Sequence, residues 1–475
     1  MELLKKIFFF SKKKPNFIAI KSKKDLTYSE LWNKSCNLAH YIKKKKIKKI
    51  CILQDSYEEN FHYVAMLASL ISGATYIPIN KLTPLKRIKS IINLSKSDLL
   101  ISYNKKIKNL NCEKLNFKDF SKIKLKKNIK IYNSQNDAYI IFTSGSTGIP
   151  KGVRISRKAM DHYINWITKY FFNDKIIRCS QHPGIGFDLS VADIYGTLSS
   201  GGTLYPLQND FDRYFISKFI KKNYLTHFVS VPSVVDIMMN ENFKKQNEMK
   251  SLKKMFFCGE ILKKIHLDKI FKSNSSIKVI NSYGPTEATV SCTALILNNK
   301  NYKRFCKPTA SFGKSIQGMK INFFKNQDKK RGELIILGPQ VSEGYLNKDL
   351  DNKKKFFKYK KKKSLLTGDI CKEINGNYYF VNRIDRQTKI YGYRVELNEI
   401  DILISDLIGK NSHSIVNDNK IYTFIIGKLK KIDLINKKLN LSLPKYMLPY
   451  KFIEVKTFPK NNNQKIDEKK LLSLI

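Results

Sequence analysis

Apolar positions in the first hundred residues alternate between two spacings. In "LTYSELWNKSCNLAHYIKKK" the apolar residues Leu31, Leu38, Ala39 and Ile42 recur every three to four residues or at multiples of that spacing, as on one face of a helix. "NFHYVAMLASLISG" has a similar helical pattern that ends at Gly73, whereas "KKICILQ" and "ATYIPIN" are short apolar runs typical of buried strands. Helices that alternate with such strands predict a parallel or mixed sheet covered by helices on its faces.

The same alternation resumes further along the chain and then changes. It continues in "KFIKKNYLTHFVSVPSVVDIMM", "LKKMFFCGE" and "SIKVINSYGPTE", but beyond about residue 305 the segments become short, β-type and separated by glycine turns. After "VNRID", about ninety residues have the pattern of one small α+β unit. We therefore predict an α/β protein. A large N-terminal domain of mixed sheets layered with helices, plus a β-rich subdomain, spans residues 1–384, and a small α+β C-terminal domain spans residues 385–475.

Composition excludes several classes of protein. The 475 residues are 42% hydrophobic and 27% charged, which is typical of a globular chain with at least one large core. The eight cysteines form no C-x-x-C pair and no cluster with the seven histidines, so a zinc site or a disulfide framework is disfavoured. The longest apolar stretch, "VAMLASLISGATYIPI", is interrupted and falls short of the roughly 18 to 20 residues of a spanning helix. We predict a cytoplasmic protein without membrane insertion.

The formal net charge of +50 raises the hypothesis of nucleic-acid binding. The excess is nearly all lysine, spread along the chain or in short runs such as Lys43–Lys46 and Lys360–Lys363, with little arginine interleaved with aromatic residues. The chain is also rich in Ile, Asn, Phe and Tyr, as expected if coding composition influences residue choice. Solvated lysine surfaces are therefore the favoured interpretation. A basic surface would still attract ATP and an acidic protein partner.

A glycine- and hydroxyl-rich stretch, "TSGSTGIPKG", follows an apolar run. It lacks the Walker spacing, because Lys151 follows a proline and precedes a glycine. Glycines permit close backbone approach, hydroxyls donate hydrogen bonds and the lysine supplies charge, which are the parts of an anion site. An exposed turn is the alternative, but the preceding strand favours phosphate binding. The residues concerned are Thr143, Ser144, Gly145, Ser146, Thr147, Gly148 and Lys151.

Two later stretches carry compatible chemistry. "NSYGPTEATV" places Tyr283, Thr286 and Glu287 on one tight turn, where they could stack on a base, bond a phosphate and hold a magnesium ion. "TGDI" carries Asp369, a carboxylate that can accept two sugar hydroxyls. Each signal is weak alone, since an aspartate in a turn is usually just a turn residue.

Taken in order, these stretches resemble the adenylate-forming, AMP-binding enzymes of the amino-acid-activating branch. The matching motifs are "TSGSTGIPKGV", "FDLSVADIYGTLSSGG", "NSYGPTEATV", "GELIILGPQVSEGYLN", "TGDI", "NRIDRQTKIYGYRVELNEI", and "LPKYMLPYKF" running on to "NNQKID". Within that family, "FFCGEIL", "SEGYLN" and "GYRVEL" resemble members that activate D-alanine for a carrier protein. A stand-alone enzyme for another amino acid in a natural-product pathway stays open, and a nucleic-acid-binding protein on an inactive adenylation fold is a distant alternative.

The resemblance implies ATP and Mg²⁺ as cofactors and two half-reactions. A carboxylate attacks the α-phosphate of ATP, and then the thiol of a phosphopantetheine arm displaces AMP. The glycine loop would hold pyrophosphate, and Lys465 would bridge the α-phosphate and the substrate carboxylate. The other implied nucleotide contacts are Asn281, Tyr283 against adenine, Thr286 on the α-phosphate, Glu287 on Mg²⁺, Asp369 on ribose, and Arg383.

Three residues are implied in amino acid binding: Asp188, Cys258 and Val290. By resemblance Asp188 pairs with the substrate ammonium, although a helix N-cap is an equal interpretation of "DLSVADIY" from the residues alone. Cys258 would line the acyl pocket beside the α-carbon, where its bulk favours the D enantiomer. The default for an isolated cysteine after two phenylalanines is a buried thiol without a role.

The resemblance also implies a mobile C-terminal domain that rotates about Asp385, delivering Lys465 first and the Gly392 region second. No G-G-x-S attachment site follows "EKKLLSLI", so we expect a small acidic carrier protein to act in trans. The sequence departs from the family at Asn382, Tyr391 and Gln464, none of which removes a charged catalytic group. Gln464 replaces a glycine that would reach positive φ freely.

The implied role of Lys465 gives a direct test. We expect Lys465→Ala to slow adenylation by on the order of 10²- to 10³-fold, the scale for losing one preorganised charge-stabilising group. ATP–pyrophosphate exchange measures this rate. An unchanged rate would mean that the assignment of the C-terminal motif is wrong.

Overall fold

The structure is a computed structural model that describes most of the chain. The described residues are 1–54, 60–103, 107, 110–116, 131–132, 134–145, 148–240, 248–307, 309–324, 330–347, 349–359, 361–429, 432–460 and 466–475. Ser146, Thr147, Gln464 and Lys465 therefore lie outside the described residues.

Strands dominate the middle and the last part of the described chain. In chain order they are β1 (Ile18–Ile20), β2 (Leu26–Thr27), β3 (Lys49–Leu53), β4 (Thr75–Ile79), β5 (Leu99–Ile101), β6 (Glu113–Leu115), β7 (Asp137–Thr143), β8 (Lys151–Ser156), β9 (Arg178–Gln181), β10 (Thr203–Pro206), β11 (His227–Ser230), β12 (Lys254–Phe257), β13 (Lys278–Asn281), β14 (Thr293–Leu297), β15 (Lys314–Ser315), β16 (Lys320–Phe323), β17 (Arg331–Leu337), β18 (Phe356–Tyr359), β19 (Lys362–Ile374), β20 (Asn377–Arg383), β21 (Gln387–Ile390), β22 (Tyr393–Glu396), β23 (Ser412–Asn417), β24 (Lys420–Ile426) and β25 (Lys451–Val455).

Helices alternate with the early strands, as the sequence predicts. They are α1 (Glu2–Lys13), α2 (Tyr28–Lys44), α3 (Phe61–Ser72), α4 (Leu85–Ser95), α5 (Arg157–Tyr170), α6 (Ser190–Ser199), α7 (Asp210–Tyr214), α8 (Ile216–Lys222), α9 (Val234–Asn240), α10 (Lys264–Ser273), α11 (Asp349–Lys355), α12 (Leu397–Ile408), α13 (Ile432–Ser442) and α14 (Glu468–Leu472). Three short 3₁₀ turns cover Thr286–Ala288, Tyr302–Phe305 and Lys445–Met447.

The predicted helix faces are buried. Leu31, Leu38, Ala39 and Ile42 of α2 are all inaccessible to solvent. The helix begins at a capping box, in which the Thr27 hydroxyl accepts from the Glu30 amide and the Glu30 carboxylate accepts from the Thr27 amide. Helix α3 ends where Gly73 adopts a left-handed φ of 84°.

Two large sheets form the first part of the chain. A nine-stranded sheet has the order β15-β14-β13-β12-β11-β9-β10-β1-β2, and a six-stranded sheet has the order β6-β5-β3-β4-β7-β8. The nine-stranded sheet is parallel in the centre with antiparallel strands at both edges, whereas the six-stranded sheet is parallel except for β8, which pairs antiparallel with β7. Strand β3 is apolar after Lys49 because both of its faces are buried: Ile50 and Ile52 pack in one core, while Cys51 and Leu53 pack in a second core on the opposite face.

The β-rich segment and the C-terminal segment follow, as predicted. Strands β16–β20 form a five-stranded antiparallel sheet in which Asp369 of β19 lies opposite Arg383 of β20. Residues after 385 form a β21–β22 hairpin, the three-stranded sheet β23-β24-β25 and three helices. This segment has an apolar core of its own, which includes Val395, Ile400, Ile425 and Leu439. The α/β fold class with a smaller C-terminal unit is thus confirmed.

Among the residues that the structure describes, no helix combines the length and the apolar character needed to cross a lipid bilayer. Each of the eight cysteines, all of them described, is a free thiol.

Candidate active site

One cavity collects side chains that are far apart in the sequence. It lies where the nine-stranded sheet, the β19–β20 pair and the β21–β22 hairpin meet. Its lining includes eight of the residues that the sequence predicted: Asp188, Cys258, Tyr283, Thr286, Glu287, Val290, Asp369 and Arg383.

At one end of the cavity an aromatic ring lies beside a carboxylate. Tyr283 stacks on Phe312 with ring centroids 4.6 Å apart, and its hydroxyl donates to Asp369. The guanidinium of Arg383 donates to the other oxygen of Asp369 and, at 2.6 Å, to Asp385. Asp369 is therefore held rigidly at the cavity wall, next to a flat apolar surface.

Glu287 is a buried carboxylate with a strong positive neighbour. Its Oε1 accepts from Arg394 at 2.7 Å and from the hydroxyl of Tyr345 at 2.5 Å. Burial alone would raise the pKa of the Glu287 carboxyl, but the charges of Arg394 and Lys355 and the hydrogen bond from Tyr345 together outweigh it and lower the pKa to about 2. Among the described residues, Oε2 of Glu287 is buried and has no hydrogen-bond partner.

Asp188 and Cys258 line the same cavity. Helix α6 begins at Ser190 and no side chain of the described residues caps it, so Asp188 is not the N-cap that the sequence left open. Burial raises the pKa of the Asp188 carboxyl to about 6, although a hydrogen bond with Thr286 and the charge of Lys389 lower it. Burial also raises the pKa of the Cys258 thiol to about 12, and its Sγ donates to the Val290 carbonyl at 3.6 Å.

The turn that carries Val290 is strained. Thr289 and Val290 have φ values of 55° and 68°, a left-handed conformation that β-branched residues rarely adopt. Such residues cost on the order of 1–3 kcal/mol each and persist only where surrounding contacts hold them. Val290 lines the cavity, so this strained turn forms part of its wall.

The glycine loop is a hairpin between two antiparallel strands. Thr143 of β7 pairs with Lys151 of β8, so the loop leads into a strand and not into the helix of a Walker motif. Glycine is required at position 145, because a Cβ there would lie 1.9 Å from the Ile149 carbonyl oxygen. Lys151 is buried and its Nζ lies 3.2 Å from Asp351.

The C-terminal segment closes over this loop. The Ser144 hydroxyl donates to the carbonyl of Arg394 at 2.8 Å and accepts from the Glu396 amide at 3.1 Å. The Gly145 amide donates to Glu399 at 3.1 Å, and Glu399 also binds Arg87 at 2.7 Å. In this arrangement carboxylates and backbone groups of the C-terminal segment occupy donors of the loop.

The tip of the β21–β22 hairpin lies inside the site. Gly392, with φ 79°, packs so closely that a Cβ there would lie 2.3 Å from Cγ1 of Val231. Tyr393 stacks on Tyr446 with centroids 4.1 Å apart and also contacts Phe187. Among the described residues of the C-terminal segment, those that line the cavity belong to this hairpin.

Some of the residues singled out in the sequence do not line this cavity. Asn281 is buried, and its side chain donates to the Ser311 carbonyl at 2.8 Å, at the edge of a wider cleft that adjoins the cavity. Asn382 pairs with Ile370 in the β19–β20 ladder, and Tyr391 is half-exposed with φ 49°.

Sequence reasoning missed several charged residues of the cavity. Arg394 lies in the quoted motif "GYRVEL" but was given no role there. Lys355 and Lys389 also line the cavity, which corrects the interpretation of the lysines as solvated surface at these two positions. Burial lowers the pKa of Lys355, as does the nearby charge of Arg394. Lys355 ends the run "NKKK" and nothing in that run distinguishes it from its neighbours.

Comparison with known proteins agrees with this geometry. The model of the family described as AMP-binding enzyme matches residues 9–346. The chain belongs to the AMP-binding enzyme family, as its motifs predicted.

Relatives match over the whole chain. A D-alanine–D-alanyl carrier protein ligase of Bacillus licheniformis is 30% identical and covers 99% of each chain. The protein of that name from Listeria monocytogenes is 31% identical and covers 94% of each chain. Among solved structures, the Vibrio cholerae adenylation domain AlmE in complex with glycyl-adenosine-5'-phosphate has a TM-score of 0.86 at 23% identity, covering 99% of this chain and 97% of its own. Holo-PA1221, a protein with adenylation and PCP domains bound to a vinylsulfonamide inhibitor, has a TM-score of 0.85 at 18% identity, covering 99% of this chain and 84% of its own. These two similarities show the fold.

The raised pKa of Asp188 predicts a pH-dependent cost to stability. Below the unfolded value of 3.8 the carboxyl is protonated in both states, and as the pH rises towards about 6 it ionises first in the unfolded chain. Asp188 should therefore lower the free energy of unfolding as the pH rises through this interval, by up to about 3 kcal/mol. Urea unfolding of the wild type and of Asp188→Asn between pH 4 and 8 measures the difference.

We expect Asp188→Asn to be the more stable protein at pH 7 and to lose that advantage near pH 4. Asp406→Asn, at an exposed position of α12, is the matched control and should follow the wild type. A constant difference between Asp188→Asn and the wild type across this pH range would contradict the assignment.

Proposed function

We propose that this protein activates D-alanine with ATP, forming D-alanyl-adenylate and pyrophosphate, and transfers the D-alanyl group to the phosphopantetheine thiol of a carrier protein. The observation that carries the proposal is the shared cavity, which is lined by an aromatic ring and a carboxylate suited to a nucleotide, Tyr283 and Asp369, and by a separate buried carboxylate, Asp188. The names of the full-length relatives support the same reaction.

The nucleotide would lie along the Tyr283 end. Adenine would pack against the Tyr283 ring, and the Asp369 carboxylate, fixed by Arg383, would accept the ribose hydroxyls. Thr286 would donate to the α-phosphate. Asn281 would act from the edge of the cleft, where it fixes the strand end that leads into this turn. The loop from Thr143 through Gly148 to Lys151 would hold the departing pyrophosphate, including Ser146 and Thr147.

The residues present fit a magnesium ion. Mg²⁺ in nucleotide sites commonly takes one or two carboxylates and completes its shell with phosphates and water. Glu287 offers a buried Oε2 that has no partner among the described residues, and its low pKa keeps it ionised. The metal would neutralise charge on the phosphates. No group of three or more His, Cys, Asp or Glu occurs in the described part of the chain that could form a closed metal site.

The amino acid would occupy the opposite end. Asp188 would bind its ammonium group, and an ionised carboxylate in so buried a place gains strongly from a positive partner. Cys258 and Val290 would form the wall beside the α-carbon, where a small side chain fits and the enantiomer is selected.

We also propose that the chain alternates between two arrangements. Residues 385–475 would rotate about Asp385 relative to residues 1–384, so that Lys465 reaches the reacting carboxylate during adenylation. The arrangement described above supports the second half-reaction. In it, Arg394 binds the Glu287 carboxylate, the Gly145 amide donates to Glu399, and the Ser144 hydroxyl donates to the Arg394 carbonyl. Pyrophosphate and its metal would therefore have to leave before the hairpin docks.

A cleft supports entry of the phosphopantetheine arm. It shares Gly259, Asp369 and Lys389 with the cavity and runs between the two segments to a rim with Lys263 and Arg386. The carrier would bind in trans and be acidic, since the chain carries a net charge of +50. The free thiols of the described chain and the use of ATP support a cytoplasmic location.

Two alternatives to this function can each be tested separately. Another amino acid in a natural-product pathway would appear as stronger pyrophosphate exchange with that amino acid. Nucleic-acid binding, suggested by the net charge alone, would require tight and sequence-dependent binding at physiological salt, since nonspecific phosphate binding weakens steeply with ionic strength.

The exchange assay tests the substrate. We expect ATP–pyrophosphate exchange to be stimulated more by D-alanine than by any L-amino acid, because Cys258 crowds one side of the α-carbon. Cys258→Ala should reduce the preference for D- over L-alanine by about tenfold, the scale for one side-chain contact in an apolar pocket. Cys306→Ala, a buried thiol remote from the cavity, is the matched control. Equal or stronger exchange with an L-amino acid would refute the D-alanine assignment and leave adenylation standing.

The docked hairpin gives a second prediction. Arg394→Met removes the partner that Glu287 has in this arrangement, so thioester formation on a carrier should fall by at least about tenfold more than pyrophosphate exchange does. Lys451→Met removes an exposed charge of the same segment and should change neither rate. Equal losses in both half-reactions would argue against a role in alternation.

A further inference from the structure

We propose that Gln340 is a positioning residue that holds the Ala288–Ser291 turn and thereby shapes the amino acid pocket. The inference rests on the proposed function for the meaning of that pocket. Gln340 lies in "GPQVSEGY", and its side chain is completely buried.

The contacts of Gln340 converge on one turn. Its Nε2 donates to the carbonyl of Ser291 at 2.7 Å and of Ala288 at 3.1 Å, with a longer contact of 3.4 Å to Thr289. In return the Thr289 hydroxyl donates to the Gln340 carbonyl at 2.7 Å. One side chain thus bonds to three carbonyl oxygens of a single turn.

The chemistry of the partners fixes the orientation of the amide. Carbonyl oxygens only accept hydrogen bonds, so the NH₂ group must face the turn and Oε1 must face away. Oε1 lies 2.8 Å from Nδ1 of His162 on α5, which therefore carries its proton on Nδ1. A carboxylate at position 340 would place two acceptors against those carbonyls.

The turn needs an external hold because its own conformation is unfavourable. Thr289 and Val290 are consecutive β-branched residues at positive φ, and the amide of Ser291 bonds back to the Thr289 carbonyl at 2.8 Å. This geometry directs Val290 into the cavity wall and its carbonyl towards the Cys258 thiol. If the turn relaxes, both walls of the amino acid pocket move together.

The metal and nucleotide residues have separate supports. The Glu287 carbonyl accepts from the Ser342 amide at 2.8 Å, and its carboxylate accepts from Tyr345. Tyr283 is held by Phe312 and Asp369. We name residues Gln340–Tyr345 the brace, of which Gln340 supports the pocket turn while Ser342 and Tyr345 support Glu287. Loss of the Gln340 amide should therefore weaken amino acid binding more than ATP binding.

The test compares Gln340→Met and Gln340→Glu with the wild type. Methionine keeps the length without hydrogen bonds, and glutamate keeps the shape without donors. We expect the KM for D-alanine to rise by about tenfold in exchange assays, the scale of one to two lost hydrogen bonds. The preference for D- over L-alanine should fall, and the KM for ATP should change by less than about twofold. Peptide-level hydrogen exchange should show faster exchange over residues 286–293.

Asn274→Met is the matched control. Asn274 also donates from its side-chain amide to two backbone carbonyls, those of Met249 and Leu252, but it lies away from the cavity. It should leave the KM values, the enantiomer preference and exchange over residues 286–293 unchanged. A similar pattern in Asn274→Met and Gln340→Met would reduce Gln340 to a general stability role and overturn the proposal.

The outcome separates the two proposals. A wild type without amino-acid-dependent exchange would refute the proposed function, and the pocket role of Gln340 with it. An active wild type with unchanged KM values and unchanged hydrogen exchange in the Gln340 variants would refute the inference while the proposed function stands.

Discussion

A buried carboxylate without a positive partner is too costly for the fold, so the buried Glu287 requires one. Its neutralisation links the parts of the site, since in this arrangement the C-terminal hairpin supplies the charge through Arg394. On our proposal a metal ion supplies it in the other arrangement. The two partners would compete for one carboxylate, so a single electrostatic requirement would order the half-reactions without a separate signal.

The brace holds the turn that carries Glu287 in place. Residues Gln340–Tyr345 run beside the turn that carries Glu287 and bond to it at several points. They also bond to β8 through the Ser342 hydroxyl and the Arg154 carbonyl, which ties the turn to the strand that follows the glycine loop. The strand after the glycine loop, Glu287 and the turn that carries Val290 therefore all bond to one short segment.

Local pattern was sufficient for much of the fold. The apolar face of α2, the end of α3 at Gly73 and the β-rich character beyond residue 305 all follow from spacing and turn residues. The order of the motifs brought Tyr283, Asp369 and Asp188 into one hypothetical site. The partners of these residues did not follow, because they depend on how the hairpin docks. Lys355 was hidden in a run of lysines, and the bonds of Gln340 join residues about fifty positions apart.

The free thiol of Cys258 lies in the cavity in which, on our proposal, an activated aminoacyl group is formed. A thiolate there would attack the adenylate and leave the enzyme acylated on its own side chain. Burial keeps the pKa of this thiol at about 12, so it stays protonated and unreactive at neutral pH. The apolar surroundings that shape the pocket would then also preserve the acyl group for the incoming carrier thiol.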